Sequence, residues 1–233
     1  MKFTRLVRTG ARRAGFLLDY RTAQTDTGLR LAVMLAANHV DHVLDIGANR
    51  GQFAEELFEN GYTGRVTSFE PLPRAHARLV MKAEGRDRWT IAEALALSDE
   101  AGEANFFEAS SDVSSSLLRF TANSHDGIET VDSYAVKTAR LDDLEMTGRI
   151  FLKIDTQGSE MAVIRGGQNA LARAVGVQVE MSLRPLYEGQ ALAPEVNAVM
   201  ESSGFRLWDM IPAYRDNKSQ QLLQYDGVFF RAE

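Results

Sequence analysis

A chain of 233 residues with 45% hydrophobic content is long enough for one α/β domain with a buried core, and it is not composed like a disordered protein. It has no cysteine, which excludes disulfides, thiolate metal sites and a cysteine nucleophile. The net charge of -6 argues against long contact with a nucleic-acid backbone, and no apolar run approaches the ~20 residues that span a bilayer.

Residues 1 to 40 read as an N-terminal helical extension, and 41 to 233 as one domain. In the extension, Phe3, Val7, Gly10, Ala14 and Leu17 recur at helical spacing, with Lys2, Arg5, Arg8, Arg12 and Arg13 between them. This is a basic amphipathic pattern. It suits a helix docked on the domain or on a second subunit of a homo-oligomer; weak contact with an anionic membrane surface and organelle targeting are sharper alternatives. Phe16-Leu17-Leu18 is too short an apolar run for a secretory signal, and a cytoplasmic location is expected. A second helix is predicted over Leu29 to Ala37, with Leu31, Met34 and Leu35 inward.

Val43 to Ile46 is an apolar strand that stops at Gly47. A second glycine follows at Gly51, and a helical period starts with Phe53 and Leu57. Strand, glycine bend and helix place free N–H groups at the new helix, with no Cβ in the way of a ligand. Val66 to Glu70 is a second strand ending in an acid, which can accept two hydrogen bonds from a ribose diol. The spacing Asp45-x-Gly47-x-Asn49-x-Gly51 is not the G-x-G-x-x-G of a dinucleotide site. It suits S-adenosylmethionine (SAM), which has no pyrophosphate for Asp45 to repel.

Pro71 and Pro73 end that strand, and a helix is predicted over Arg74 to Ala83 with Ala75, Leu79 and Val80 inward. Trp89 to Leu97 reads as one strand, with an apolar shelf for a flat base near Ala94 and Leu95. Residues from about 100 to 140 read as an insertion over the pocket, with strands near Phe106 and Val131 and a serine-rich stretch, Ser110 to Ser116. Ile150 to Asp155 is the next strand. A helix to about Arg173 follows, with Met161, Ile164 and Leu171 inward and Gly166-Gly167 weakening it by roughly 1 kcal/mol per glycine. Val175 to Met181 is a strand, Pro194 to Ser203 a helix, and Phe205 to Ile211 with Gly227 to Phe230 a terminal antiparallel pair. This alternation predicts a mainly parallel sheet covered on both faces.

Several of these pieces resemble the FkbM-type methyltransferases. They are Asp45-Ile46-Gly47-Ala48-Asn49-Arg50-Gly51, Ser68-Phe69-Glu70-Pro71, Ala96-Leu97-Ser98-Asp99, Ser115-Ser116-Leu117, Leu141-Asp142-Asp143-Leu144, and Leu152-Lys153-Ile154-Asp155-Thr156-Gln157-Gly158-Ser159-Glu160. They occur in the family's order over roughly residues 40 to 231. Thr156-Gln157 departs from the Val-Glu common in the family, and a carboxylate is lost there. The resemblance implies a Rossmann-like class I fold with seven strands in the order 3-2-1-4-5-7-6, SAM as methyl donor, and O-methylation, often of a sugar or polyketide hydroxyl.

Asp45, Glu70, Asp155 and Glu180 fall at strand ends, where ligands sit in such sheets. Gly47, Ala48, Asn49, Gly51, Gln52 and Phe53 are expected at the methionine tail of SAM, with Asp45 near its ammonium. Glu70, Pro71 and Leu72 are expected at the ribose, Ala94 and Leu95 at the base, and Asp155 where cofactor and acceptor meet. Asp155 and Glu180 are the candidate proton acceptors, with Lys153 orienting. Asp155, Glu180 and Glu160 are the candidate ligands if a divalent cation such as Mg2+ takes part; Glu160 is equally placed to stabilise its own helix start, and Asp155 to cap that helix. Ser115, Ser116, His125, Arg184 and Tyr187 are candidate contacts to a small-molecule or glycan hydroxyl acceptor. Methylation of protein or nucleic acid, SAM binding without catalysis, and a dinucleotide oxidoreductase are the alternatives.

Overall fold

The computed structural model describes residues 21–110, 114–121 and 129–232. The basic N-terminal pattern and His125 lie outside the described residues.

A seven-stranded sheet organises the chain. Its first strand, β1 (His42–Ile46), pairs in parallel with β2 (Arg65–Phe69) on one side and β7 (Ile150–Ile154) on the other. Beyond β2 lies β3 (Trp89–Ile91), and beyond β7 lies β8 (Gly176–Ser182), both parallel to their neighbours. The last two strands, β9 (Phe205–Arg215) and β10 (Leu222–Arg231), run antiparallel, with β10 between β8 and β9. Numbered along this sheet alone, the strand order is 3-2-1-4-5-7-6, as expected for a class I fold. Every residue of β1, β7 and β8 is buried, so the centre is covered on both faces.

Alternation along the strands divides the core in two. Leu44, Leu152, Ile154, Val177 and Val179 face the helices α4 (Glu160–Gly166), α5 (Gln168–Arg173) and α6 (Ala193–Ser202). Val43, Phe151, Val228 and Phe230 face α1 (Thr27–Ala37) and α2 (Gln52–Glu59). The helix α3 (Pro73–Ala83) buries Ala75 and Leu79. On the face toward α1 and α2 the same two-residue period becomes polar near the carboxyl ends of the parallel strands. Val43 is followed by Asp45, Phe151 by Lys153 and Asp155, and Gln178 by Glu180; Asp226 and Gln224 continue the row on β10.

Three expectations need correction. The strand predicted over Trp89 to Leu97 is two: β3 leaves the main sheet after Ile91, and β4 (Ala96–Ser98) belongs to a second sheet. That sheet, in the order β4-β6-β5, joins β4 to two strands of the insertion, β5 (Gly102–Ala109) and β6 (Thr130–Arg140), which are antiparallel to each other. The helix predicted to Arg173 is broken into α4 and α5 at the glycine pair. A Cβ on Gly166 would stand 2.0 Å from the Ser98 carbonyl oxygen, so glycine lets α4 lie against β4. Val80 is exposed on α3, whereas Met161, partly buried, packs against the core on its helix's inner side as expected. No helix of the described residues is long and apolar enough to cross a membrane.

Candidate active site

The bend after β1 is fixed by backbone. Gly47 has φ +79°, Asn49 +48° and Gly51 +81°. The N–H groups of Gly47 and Ala48 both donate to the Phe69 carbonyl, at 3.0 and 2.9 Å. A Cβ on Gly47 would lie 1.8 Å from the Asp155 carbonyl oxygen, so the bend rests directly on the end of β7. Here the order of connections reverses about β1, the place where open α/β sheets take ligands.

Glu70 closes the bend from β2. Its Oε2 accepts the Asn49 N–H at 2.7 Å, and its Oε1 the Leu72 N–H at 2.8 Å. Burial pushes its carboxyl up to about 7, opposed by those two N–H groups. Each oxygen keeps a further acceptor direction, and Glu70 lines the cavity beside the bend.

The polar row forms the cavity floor. Lys153 Nζ lies 3.2 Å from Asp155 Oδ2, 3.6 Å from Asp45 Oδ1 and 3.3 Å from the Gly47 carbonyl oxygen. Burial opposes its charge, but Asp155, Asp45 and Asp226 outweigh that and raise its pKa, so it stays an ammonium. Gln157, at φ +54°, sets its amide between two acids: Nε2 donates to Asp155 Oδ1 at 2.8 Å and to Glu180 Oε2 at 3.1 Å. The Tyr187 hydroxyl lies 2.8 Å from Gln157 Oε1, and Ser116 Oγ donates to the Gln157 carbonyl at 2.6 Å. Gln224 Nε2 donates to Glu180 Oε2 at 2.8 Å. Burial, then Asp155, Glu160 and Asp226, hold the Glu180 carboxyl well above the usual range.

Over this floor is a cavity of about 640 Å³, a common size for a small-molecule site. Gly47, Ala48, Asn49, Gln52, Phe53, Glu70, Pro71, Leu95, Lys153, Asp155, Glu180 and Ser115 all line it. Phe106 of β5 and Leu117 also line it, so the insertion stands beside the pocket.

Other predicted residues sit elsewhere. Asp45 is fully buried beneath the bend, where Ser68 Oγ donates to it at 3.0 Å and Lys153 faces it; it partners that lysine rather than a ligand's ammonium. Gly51 is off the wall, its α-carbon facing Trp89 and Leu79. Leu72 contributes only its N–H, to Glu70, and Ala94 lies outside the lining, where Leu95 to Leu97 take the shelf. Glu160 does not join Asp155 and Glu180: its Oε1 accepts the N–H groups of Thr156 and Gly158, each at 2.9 Å, and so closes the start of α4. Among the described residues no group of three or more His, Asp and Glu is arranged to hold a metal ion. Arg184 is exposed and away from the cavity. Tyr187 is fully buried, stacked on Phe120 with centroids 5.0 Å apart, and Ser116 is buried as well; both support Gln157 from behind. Sequence reasoning missed Gln157, Gln178, Gln224 and Asp226. The available signal was the polar alternation inside otherwise apolar strands β8 and β10.

The sheet order, the glycine bend and the acid after β2 define a Rossmann-like class I methyltransferase fold. The chain belongs to the FkbM methyltransferase domain family, whose match covers residues 45–207. Over 163 residues it is 31% identical to 2-O-methyltransferase NoeI of Sinorhizobium fredii (strain NBRC 101917 / NGR234). That match takes in 64% of this chain and 66% of the relative, just under two thirds of its length. In fold it is similar to Streptococcus pneumoniae Sp1610 solved with SAM, at a TM-score of 0.50 and 11% identity over 89% of this chain and 73% of that one. It is also similar to magnesium protoporphyrin IX methyltransferase from Synechocystis PCC 6803 with bound SAM, with TM-score 0.49, 11% identity, and 92% and 86% of the chains covered.

Proposed function

We propose that this chain is a SAM-dependent O-methyltransferase acting on a hydroxyl of a sugar, glycan or other small molecule. The observation that carries the reading is Glu70, a carboxylate fixed by two backbone N–H groups beside a glycine bend and facing a cavity. A ribose diol needs such a pair of acceptors. The backbone of Gly47 to Asn49 suits the amino-acid tail, and Pro71, Leu95 and Phe106 offer an apolar shelf for adenine.

When bound, SAM supplies an electrophilic methyl group. The chain's own residues align an acceptor oxygen and keep water out, which is worth ~7–11 kcal/mol. The acceptor's proton passes to the Asp155–Glu180 pair, which Gln157 holds as a unit. The raised proton affinity of Glu180 suits that role. Lys153 locks Asp155 and the bend together. The 2-O-methyltransferase activity named for the relative supports transfer to oxygen here. With Glu160 committed to its helix start, the carboxylate pair carries the proton transfer better than a three-carboxylate metal site does.

The test is methyl-labelled SAM incubated with the full chain and free sugars, glycosides and polyketide alcohols. The expected product is an alkali-stable methyl ether, formed equally well after exhaustive chelation. Label found only on nitrogen or on protein carboxylates contradicts methylation of a hydroxyl, and loss of turnover on chelation that Mg2+ restores contradicts the carboxylate mechanism.

A further inference from the structure

The cavity has a second end. Glu70 stands after β2, while Gln178 and Asp226 belong to β8 and β10. Four strand spacings separate β2 from β10, about 19 Å. Gln178 is 5% exposed. Its Nε2 donates to Asp226 Oδ2 at 3.1 Å, but its Oε1 has no hydrogen-bond partner. A buried acceptor left without a donor is costly, typically ~1–3 kcal/mol, and the Gln178 side chain lines the cavity.

The polar residues that share this part of the cavity wall with Gln178 are acceptors too. Asp226 and Glu180 face each other in register on β10 and β8, and Asp155 lies beyond them. Lys153 is the one cation among the described cavity-lining residues, and it is taken by Asp45 and Asp155. Phe53 and Tyr214 give the same region apolar faces. Acceptors in a row beside aromatic faces match a ligand rich in hydroxyl donors with an apolar ring face. A phosphate or carboxylate there would meet Asp226, Glu180 and Asp155, with no free cation among the described lining residues.

We infer that Gln178 and Asp226 form an acceptor subsite that takes the vicinal hydroxyls of an uncharged sugar ring and rejects phosphorylated or uronate acceptors. This rests on the methyltransferase reading above and narrows it to a substrate class.

The test uses the methyl glycosides of glucose, mannose, galactose, fucose and rhamnose, beside the 6-phosphates and uronates of the hexoses. Binding is read by saturation-transfer NMR and turnover by transfer from labelled SAM. Neutral glycosides are expected to bind and to be methylated at least tenfold faster than their anionic counterparts. Gln178→Leu is expected to raise the glycoside KM at least tenfold while SAM affinity stays within twofold; Asp226→Asn gives a second, isosteric check in the same direction. Anionic sugars accepted as well as neutral ones, or a Gln178→Leu enzyme with unchanged KM, would overturn the inference. So would a chain that binds SAM yet neither binds nor methylates any glycoside, and that result leaves the cofactor reading intact. Failure of the folded chain to bind SAM would instead overturn the reading beneath it.

Discussion

At the residue scale, the site turns on one amide. Gln157 Nε2 supplies a hydrogen bond to each of two acids that would otherwise repel each other in a buried place. Gln157→Leu removes both bonds and leaves a less polar group between the carboxylates. It is expected to lower kcat on the order of tenfold or more and shift the pH profile, with SAM affinity little changed; kinetics at saturating SAM check this. Asp155→Asn and Glu180→Gln are each expected to lose ~10²–10⁴ in kcat, and the double variant little more, because the pair works as a unit. Asp155 and Glu180 were legible in the sequence as acids near the ends of apolar runs, and the structure places both on the cavity floor. Gln157, Gln178 and Gln224 were not, since glutamine is common on surfaces; the sheet register turns Gln178 and Gln224 inward, and Gln157 is set by a left-handed loop position after β7.

At the element scale, the glycine bend and the strand parity place everything else. Gly47→Ala would put a methyl group against the Asp155 carbonyl in a left-handed backbone. It is expected to destabilise the fold by ~1–3 kcal/mol and to weaken SAM binding, as chemical denaturation and titration would show. The order of elements was readable because each strand and helix carries its own period and stops at a glycine or proline. The split of Trp89 to Leu97 was not: Trp89, Ile91, Leu95 and Leu97 read as one apolar strand, and nothing local marks where the chain changes sheets. The break at the glycine pair showed as a weakness, but the close approach of Gly166 to Ser98 is long-range. Asp45 illustrates the limit in the site: its position at a strand end was plain, whereas its pairing with Lys153 depends on β1 lying beside β7.

At the scale of the whole molecule, buried acids give the protein a distinctive pH response. Burial first, then nearby carboxylates, raises Glu70 and Glu160 to about 7 and Asp226 to about 6, with Glu180 higher than usual as well. Between the ordinary carboxylate range and these values the folded chain binds more protons than the unfolded one. Stability therefore falls as pH rises through that window. The thermal midpoint of the chain without ligand is expected to drop by about several degrees between pH 5 and pH 8, and Glu70→Gln to flatten that slope. A midpoint that rises over the same range would contradict the assignment of these acids as buried groups with raised proton affinity.

The most direct measurement is calorimetric titration of SAM into the folded wild-type chain and into Glu70→Ala at one pH above 7. Saturable binding at a single site by the wild type, weakened at least tenfold in the variant while its fold is retained, is the predicted result. A folded wild-type chain that does not bind SAM, or a variant that binds it as tightly, would contradict the site described here.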